Sequence, residues 1–314
     1  MAVATGGNSG RKAHMNADLL IVGSGALATF FAARLSAAGV DVTMLGSWRE
    51  GLGAIRKTGA HLNGRESQIV QATDNPADCR GVKYALVLVK SWQTEHSAFQ
   101  LAQCLADDGL AVTLQNGLGN DTILSNTLDL KRVSRGVTTL GATLLAPGFV
   151  RSGGEGVITL EAHSHLAGLE EMLRMARFDV SIGENIEPVV WGKLIINAAI
   201  NPLTALLRVK NGDLLTNQPA RALMGQLASE AAKVAEALAV ALPFLDPERA
   251  VEEVVQSTAE NISSMLQDVL RGAQTEVDAI NGAVVRMGGQ KGVPSPVNRA
   301  ICLLVKALSV LDKI

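Results

Sequence analysis

The sequence predicts an α/β protein: an N-terminal domain built on a parallel sheet, followed by an all-helical C-terminal domain. Three observations lead there. Short apolar runs bounded by glycine alternate with helical patterns from Asp18 to Leu114, and strand signals stop near Glu187. The composition is 47% hydrophobic but only 3% aromatic, with 31 glycines, so the frame is made of small aliphatic residues. Such a chain has the apolar content to bury sizeable cores and is not a disordered polymer.

Asp18–Val22 (DLLIV) is a short apolar run ending at Gly23, the mark of a buried strand. Ala26–Ala38 is rich in Ala, Leu and Phe and is followed by Gly39, a helix with its C-terminal stop. Val40–Leu45 and Tyr84–Val89 are the next strands; Gln93–Ala106 is a helix and Leu110–Leu114 a further strand. Strands alternating with helices imply βαβ units and a parallel sheet. From Val133 to Leu160, β-rich segments with glycine punctuation suggest later strands, antiparallel ones among them. Beyond Glu187 come five helices: Pro188–Leu207, Pro219–Leu242, Asp246–Leu270, Thr275–Gly288 and Pro294–Leu311. Asp246-Pro247 places an N-cap before a proline at the first helical position. The expected division is therefore 17–186 for the sheet domain and 187–314 for the helical one. Residues 1–16 are small and polar, lack an apolar core segment, and are expected to be a flexible tail rather than a secretory signal.

Composition narrows the function classes. With 28 Lys plus Arg against 30 Asp plus Glu, there is no basic excess to meet nucleic acid. Six Phe, three Trp and one Tyr leave little material for stacking on bases. No uncharged apolar run reaches the length of a bilayer span, so no membrane partner is expected. Three cysteines, far apart and without a CxxC pair, point to reduced thiols and a cytoplasmic protein. Glu161, His163 and His165 alternate, but no further ligand stands near them, and no metal site is expected.

Gly23-Ser24-Gly25-Ala26-Leu27-Ala28 has the form GxGxxA, after a strand and opening a helix. In that setting the first glycine permits a tight turn and the second lets the backbone approach a pyrophosphate. The helix N-terminus then offers free N–H groups to the phosphates. Gly23, Ser24, Gly25, Ala26 and Leu27 are thus the candidate dinucleotide cradle. At the end of the second strand, NAD binding calls for an acid on the ribose. This chain has Leu45-Gly46-Ser47-Trp48-Arg49, and Ser47 with Arg49 suits a 2′-phosphate, hence NADPH/NADP+. Arg49 is otherwise a solvated surface charge. Lys90 and Asn116 follow the next two strands, at the sheet edge where ligands bind in open α/β folds.

Lys193, Asn197 and Asn201 recur at i, i+4 and i+8, within an arc of about 80° on one helix face. Leu194, Ile195, Ile196, Ala198, Ala199 and Ile200 surround them. A lysine among aliphatic residues loses hydration, its pKa falls, and it becomes suited to proton transfer. Asn261, Ser264, Asp268 and Glu276 would fall within about 120° if one helix ran through them, with Gly272 a potential bend. Spacing alone leaves Glu276 open between a functional carboxylate and a surface one.

These segments resemble the ketopantoate reductases (2-dehydropantoate 2-reductases). The marks are the Gly23 loop, Val89-Lys90-Ser91-Trp92-Gln93, Leu114-Gln115-Asn116-Gly117-Leu118-Gly119 and Trp191-Gly-Lys193-Leu-Ile-Ile-Asn197. Ser263-Ser264-Met265-Leu266-Gln267-Asp268 and Thr275-Glu276-Val-Asp-Ala-Ile-Asn281-Gly282 complete them. The likeness covers nearly the whole chain from Ala17. It implies a Rossmann domain, a helical domain and a site in the cleft between. It also implies NADPH-dependent reduction of ketopantoate to pantoate in pantothenate biosynthesis. By resemblance Lys193 is the general acid, and Glu276 bonds the reacting oxygen or another substrate hydroxyl and orients the lysine. Asn116, Asn197, Asn201, Asn261 and Ser264 bind the substrate; Lys90 and Arg49 face the cofactor. Ala28 stands where a third glycine is more usual, and Gly46-Ser-Trp-Arg-Glu50 departs from the commoner Gly-Arg pattern. Another 2-oxo acid or an opine-type imine as substrate, and a non-catalytic NADPH-sensing protein, are the alternatives. The apolar helices of the second half also leave room for a homodimer. All three tryptophans lie one or two residues from a proposed site residue, which suggests large rings near the cleft.

Overall fold

The computed structural model describes residues 17–64 and 69–311; the expected tail at 1–16 lies outside the described residues. The chain opens with β1 (Leu19–Val22), α1 (Ala26–Ala37) and β2 (Val42–Leu45). All four residues of β1 are buried, because it pairs in parallel with a strand on each side and both faces are covered. Gly39 ends α1 at φ +86°, a conformation open to glycine without strain. Next come α2 (Arg49–Thr58), β3 (His61–Leu62), β4 (Gln71–Thr73), β5 (Val82–Val87), α3 (Thr94–Cys104), β6 (Leu105–Thr113) and α4 (Asn120–Leu128). Helix α2 was not expected, since Gly51 and Gly53 dilute its pattern; Leu52 and Ile55 nonetheless bury one side of it. Gly51 lies under Trp48, where a Cβ would come 2.2 Å from the indole ring.

The half ends with β7 (Val133–Thr138), β8 (Ala142–Ala146), β9 (Phe149–Ser152), β10 (Val157–Glu161), α5 (Ala167–Met175) and β11 (Asp179–Gly183). The main sheet runs β11-β10-β7-β6-β5-β1-β2-β4. From β4 to β7 it is parallel, and β10 joins antiparallel to β7. The antiparallel character expected after Val133 is thus found at β10 and in the β8–β9 hairpin, but β7 extends the parallel sheet. The chain builds outward from β1 in one direction, then returns beside it with β5. That reversal leaves a crevice at the carboxyl ends of β1 and β5, where doubly wound sheets bind ligands. Phe30, Phe31 and Phe178 pack one face of the sheet, and Ala98, Leu101 and Leu124 the other.

From Glu187 the chain is helical: α6 (Glu187–Leu207), α7 (Asp213–Thr216), α8 (Gln218–Ala237), α9 (Pro247–Ser257), α10 (Ser264–Leu270), α11 (Asn281–Gln290) and α12 (Pro296–Leu311). Helix α6 is the axis of a separate hydrophobic core, contacting α8, α9, α10 and α12. By length and composition it could cross a membrane, but 67% of its apolar window is buried inside the protein. Two expected helices are shorter than their patterns. Asp246–Leu270 breaks after Ser257, because Ser263 turns its hydroxyl to the Leu266 N–H (3.1 Å) and caps a new helix. Thr275–Gly288 becomes helical only at Asn281, whose amide donates to the Ala198 carbonyl (2.9 Å) and to Asn298 (3.0 Å). Residues 275–280 form a compact turn instead, so Asn261, Ser264, Asp268 and Glu276 do not share one helix.

Candidate active site

The glycine loop leaves β1 with the Gly23 N–H donated to the Leu45 carbonyl at 2.7 Å. Gly23 has φ +129°, and a Cβ there would press within 3.1 Å of the Leu88 carbonyl group. Gly25 is the N-cap of α1, where no side chain caps the helix and no acid stands in the first turn. A Cβ at Gly25 would meet nothing within 4 Å, so space lies in front of the backbone. Ser24 is buried, and Ala26 and Leu27 are half-buried. Uncapped N–H groups and the positive end of the helix therefore face the crevice, an arrangement that fits a phosphate. Past β2, Ser47 and Arg49 are both exposed, and Ser47 accepts a hydrogen bond from Gln93 at 3.4 Å.

Across the crevice, Lys90 reaches from the end of β5 to the helical half. Its ammonium donates to Asp268 at 2.6 Å and stands 3.5 Å from Glu276. Glu276 Oε1 accepts the Ser91 N–H at 3.0 Å, and Oε2 accepts the Asn116 amide at 3.3 Å. Asp268 is 1% and Glu276 6% exposed, so both carboxylates are removed from water. Arg271 also donates to Asp268, at 2.8 Å. Burial alone would lower the pKa of Lys90; Glu276 and Asp268 outweigh it and hold the ammonium above the ordinary lysine value.

Lys193 is placed by α6, in line with Asn197 and Asn201. Protein atoms packed around its ammonium push its pKa down to about 8, against the opposing pull of Glu276. Lys193, Asn116 and Asn197 share the wall of a cavity of about 290 Å³ between the two halves. Asn201 is buried one turn further on, while Asn261 and Ser264 are exposed around the start of α10. The Thr204 hydroxyl donates to Ser263 Oγ at 2.7 Å and ties α6 to that end of α10. The structure thus joins Lys90, Asn116 and Glu276 directly and sets Lys193 within the field of Glu276. Asn201 on α6, and Asn261 and Ser264 around the start of α10, lie outside that contact cluster.

Other parts, although within the quoted motifs, were given no role from the sequence. Asp268 is the main partner of Lys90, from 178 residues away. Gln115 pins the loop that carries Asn116 by donating to the Val89 carbonyl (3.0 Å) and Thr94 Oγ1 (2.8 Å). Its place directly before Asn116 at a strand end was the available signal. Gly117, at φ +84°, lets the loop lie against Ala279, where a Cβ would come 2.3 Å from the carbonyl oxygen. Leu118 donates its N–H to that oxygen at 3.0 Å, which couples the loop to the Glu276 turn.

Trp191 is turned away from the cleft. Trp191 is fully buried in the helical core with its indole N–H on Glu187 (3.0 Å), and Trp92 is 49% exposed. Glu161 turns to Arg135 (3.1 Å), and His163 lies 3.0 Å from the Lys131 carbonyl. Burial pushes the Cys79 and Cys104 thiols up to about 12 and about 11, which makes them poor nucleophiles.

Two family models match successive parts of the chain. The family model described as "Ketopantoate reductase PanE/ApbA" matches residues 19–165. Its companion, "Ketopantoate reductase PanE/ApbA C terminal", matches residues 185–309. A 2-dehydropantoate 2-reductase of Archaeoglobus fulgidus is 37% identical, over 92% of this chain and 96% of its own. One of Pyrococcus horikoshii is 31% identical at the same two coverages, 92% and 96%. Among solved structures, a PanE/ApbA family ketopantoate reductase from Ralstonia eutropha JMP134 superposes with TM-score 0.87 and 31% identity. It covers 94% of this chain and 99% of that one. A D-mandelate dehydrogenase solved with NADH and anilino(oxo)acetate shares the fold, with TM-score 0.85 and 23% identity over 93% of this chain and 98% of its own.

Proposed function

The chain belongs to the ketopantoate reductase family and is an oxidoreductase of that kind; we propose that it reduces 2-dehydropantoate to pantoate with NADPH, using Lys193 as general acid. The observation that supports this best is the desolvated Lys193 ammonium, with a pKa of about 8, within the field of Glu276, which accepts the Asn116 amide at 3.3 Å. When bound, the nicotinamide supplies a hydride to the ketone carbon of the substrate. Negative charge grows on the carbonyl oxygen, and Lys193 stabilises it and gives it a proton. Near neutral pH, a lysine at about 8 is charged yet gives up its proton more readily than an ordinary one.

Glu276 orients Lys193 and accepts from a substrate hydroxyl. Asn116, Asn197, Asn201, Asn261 and Ser264 offer amides and a hydroxyl to the carboxylate and hydroxyls of the 2-oxo acid. The backbone from Gly23 to Leu27 holds the pyrophosphate, Ser47 and Arg49 the 2′-phosphate, and Lys90 with Asn116 the nicotinamide side. The step serves pantothenate biosynthesis in the cytoplasm, a setting that three buried free thiols support. Steady-state turnover of ketopantoate with each cofactor tests the reading. NADPH is expected to exceed NADH in kcat/KM by roughly tenfold or more, the worth of a charge-assisted hydrogen bond. Equal values for the two cofactors, or no turnover of ketopantoate beside good turnover of another 2-oxo acid, would refute it.

A further inference from the structure

The reduction takes up one proton from solvent in every turnover. Once Lys193 has protonated the alkoxide it is a neutral amine, and it must be recharged before it can act again. On the side of the carboxylates the acidic groups already have protein partners. Glu276 is engaged by the Ser91 N–H and the Asn116 amide, and Asp268 by Lys90 and Arg271.

Lys193 has a second side. The cavity of about 290 Å³ is not lined by Glu276, Lys90, Asn201 or Ser264. It lies behind the Asn116–Gly119 loop, which the close Gly117–Ala279 contact seals against the Glu276 turn. Lys193 and Asn197 line it, as do Thr122, Arg286 and Gln290, which are all exposed to solvent. Charged groups line it: Arg135 of β7 binds Glu187 of α6 at 2.6 Å, with Asp121 of α4 at 4.0 Å. The volume admits several waters, and the polar lining gives them partners.

We propose that this cavity is the route by which solvent returns a proton to Lys193 while substrate and cofactor occupy its other side. The proposal rests on Lys193 as general acid. In the step, the lone pair of the Lys193 amine takes a proton from a water in the cavity. A buffer acid at the mouth replaces that proton, and no atom is oxidised or reduced. The charged groups that face the lysine or its cavity are Glu276, Asp121, Arg135, Glu187 and Arg286. Of these, Glu187 is ion-paired with Arg135 at 2.6 Å, a cation it shares with Glu161 and Asp121.

The test narrows the cavity at two places outside the catalytic machinery: Val190→Phe on α6 and Gln290→Trp at the exposed mouth. Enzyme loaded with NADPH is mixed rapidly with ketopantoate near pH 7, where a lysine with a pKa of about 8 is mostly charged, and nicotinamide absorbance is followed. Each variant is expected to complete a first turnover at the wild-type rate, because Lys193 begins charged. Later turnovers are expected to slow by on the order of tenfold and to speed up as buffer acid is added. Unchanged steady-state rates in both variants would overturn the proposal. So would a slow phase indifferent to buffer concentration, which marks product release, or an equal slowing of first and later turnovers. Lys193→Ala separates the two ideas, since it must slow the first turnover itself. An unaffected first turnover in that variant refutes the general acid, whatever the cavity variants do.

Discussion

Lys90 and Lys193 stand on opposite walls of one cleft, and Glu276 acts on both, yet their chemistry diverges. Lys90 ends a strand, is 32% exposed, and has Asp268 at 2.6 Å as well as Glu276 at 3.5 Å. Lys193 projects from an apolar helix and has only the field of Glu276 to oppose its desolvation. Two carboxylates outweigh burial at Lys90, and one does not at Lys193. The first lysine is therefore a fixed cation that joins the two halves of the molecule, and the second is a cation ready to lose its proton. Residue type settles neither outcome; the number of partners and the surrounding medium do.

The strongest way to break this contrast is Lys193→Met. Turnover is expected to fall by a factor on the order of 10² to 10⁴, as for a lost general acid, with the fold retained. Stability should move the other way. The folded pKa of about 8 lies below that of lysine in the unfolded chain, so the charged form is penalised in the fold. That penalty is fully present below pH 8 and fades as pH rises toward about 10.4. Removing the charge should therefore raise unfolding stability at pH 7, by up to about 3 kcal/mol. Denaturant melts at pH 7 and kcat measured side by side check both signs.

Glu276→Gln sharpens the comparison, because it removes the one carboxylate that the lysines share. Wild-type kcat should be level below pH 8 and decline above it as Lys193 loses its proton. In the variant that break should move to lower pH, with a rate loss of about 10- to 100-fold near neutrality. A pH profile with an unmoved break would show that Glu276 does not act through Lys193.

Lys90→Met should have the opposite stability sign to Lys193→Met. A lysine held above its ordinary pKa stabilises the fold at all pH below about 10.4 and ceases to do so above its raised value. Its loss leaves Asp268 with Arg271 alone. Discounted for the partial exposure of Lys90, the cost should be about 1–3 kcal/mol at pH 7, measured by thermal or denaturant unfolding. A stabilised variant would overturn the assignment of Lys90 as a structural tie.

The smallest effect is expected at Arg49→Ala. Arg49 is exposed and has no place among the contacts around either lysine, so kcat with saturating NADPH should hold. Only the NADPH-over-NADH ratio of kcat/KM should shrink, by about tenfold. A changed kcat would show that the cofactor edge and the proton-transfer wall are not independent.

Much of the frame was legible because local rules govern it. The apolar run before Gly23 reads as a buried strand and Asp246-Pro247 as a helix start, and both are found. Helix α2 escaped notice because two glycines thin its pattern, although tertiary packing buries Leu52 and Ile55 regardless. The break between α9 and α10 escaped notice because Ser263 competes for a backbone N–H, a preference that apolar periodicity does not register. Trp191 sits beside a site residue in sequence but is turned into the core, since two helical positions differ by about 200° in direction.

By itself the sequence determined the alternation that makes a parallel sheet, the glycine turn at the head of α1, and the shared face of Lys193, Asn197 and Asn201. Those features follow from backbone geometry over a few residues, where neighbours in sequence are neighbours in space. Only the tertiary structure decided that Asp268 would meet Lys90 across 178 residues, that Glu276 would leave a helix for a turn between both lysines, and which lysine would keep its proton. Charge state depends on desolvation and on carboxylates brought from distant segments, and neither exists until the two halves of the chain have packed.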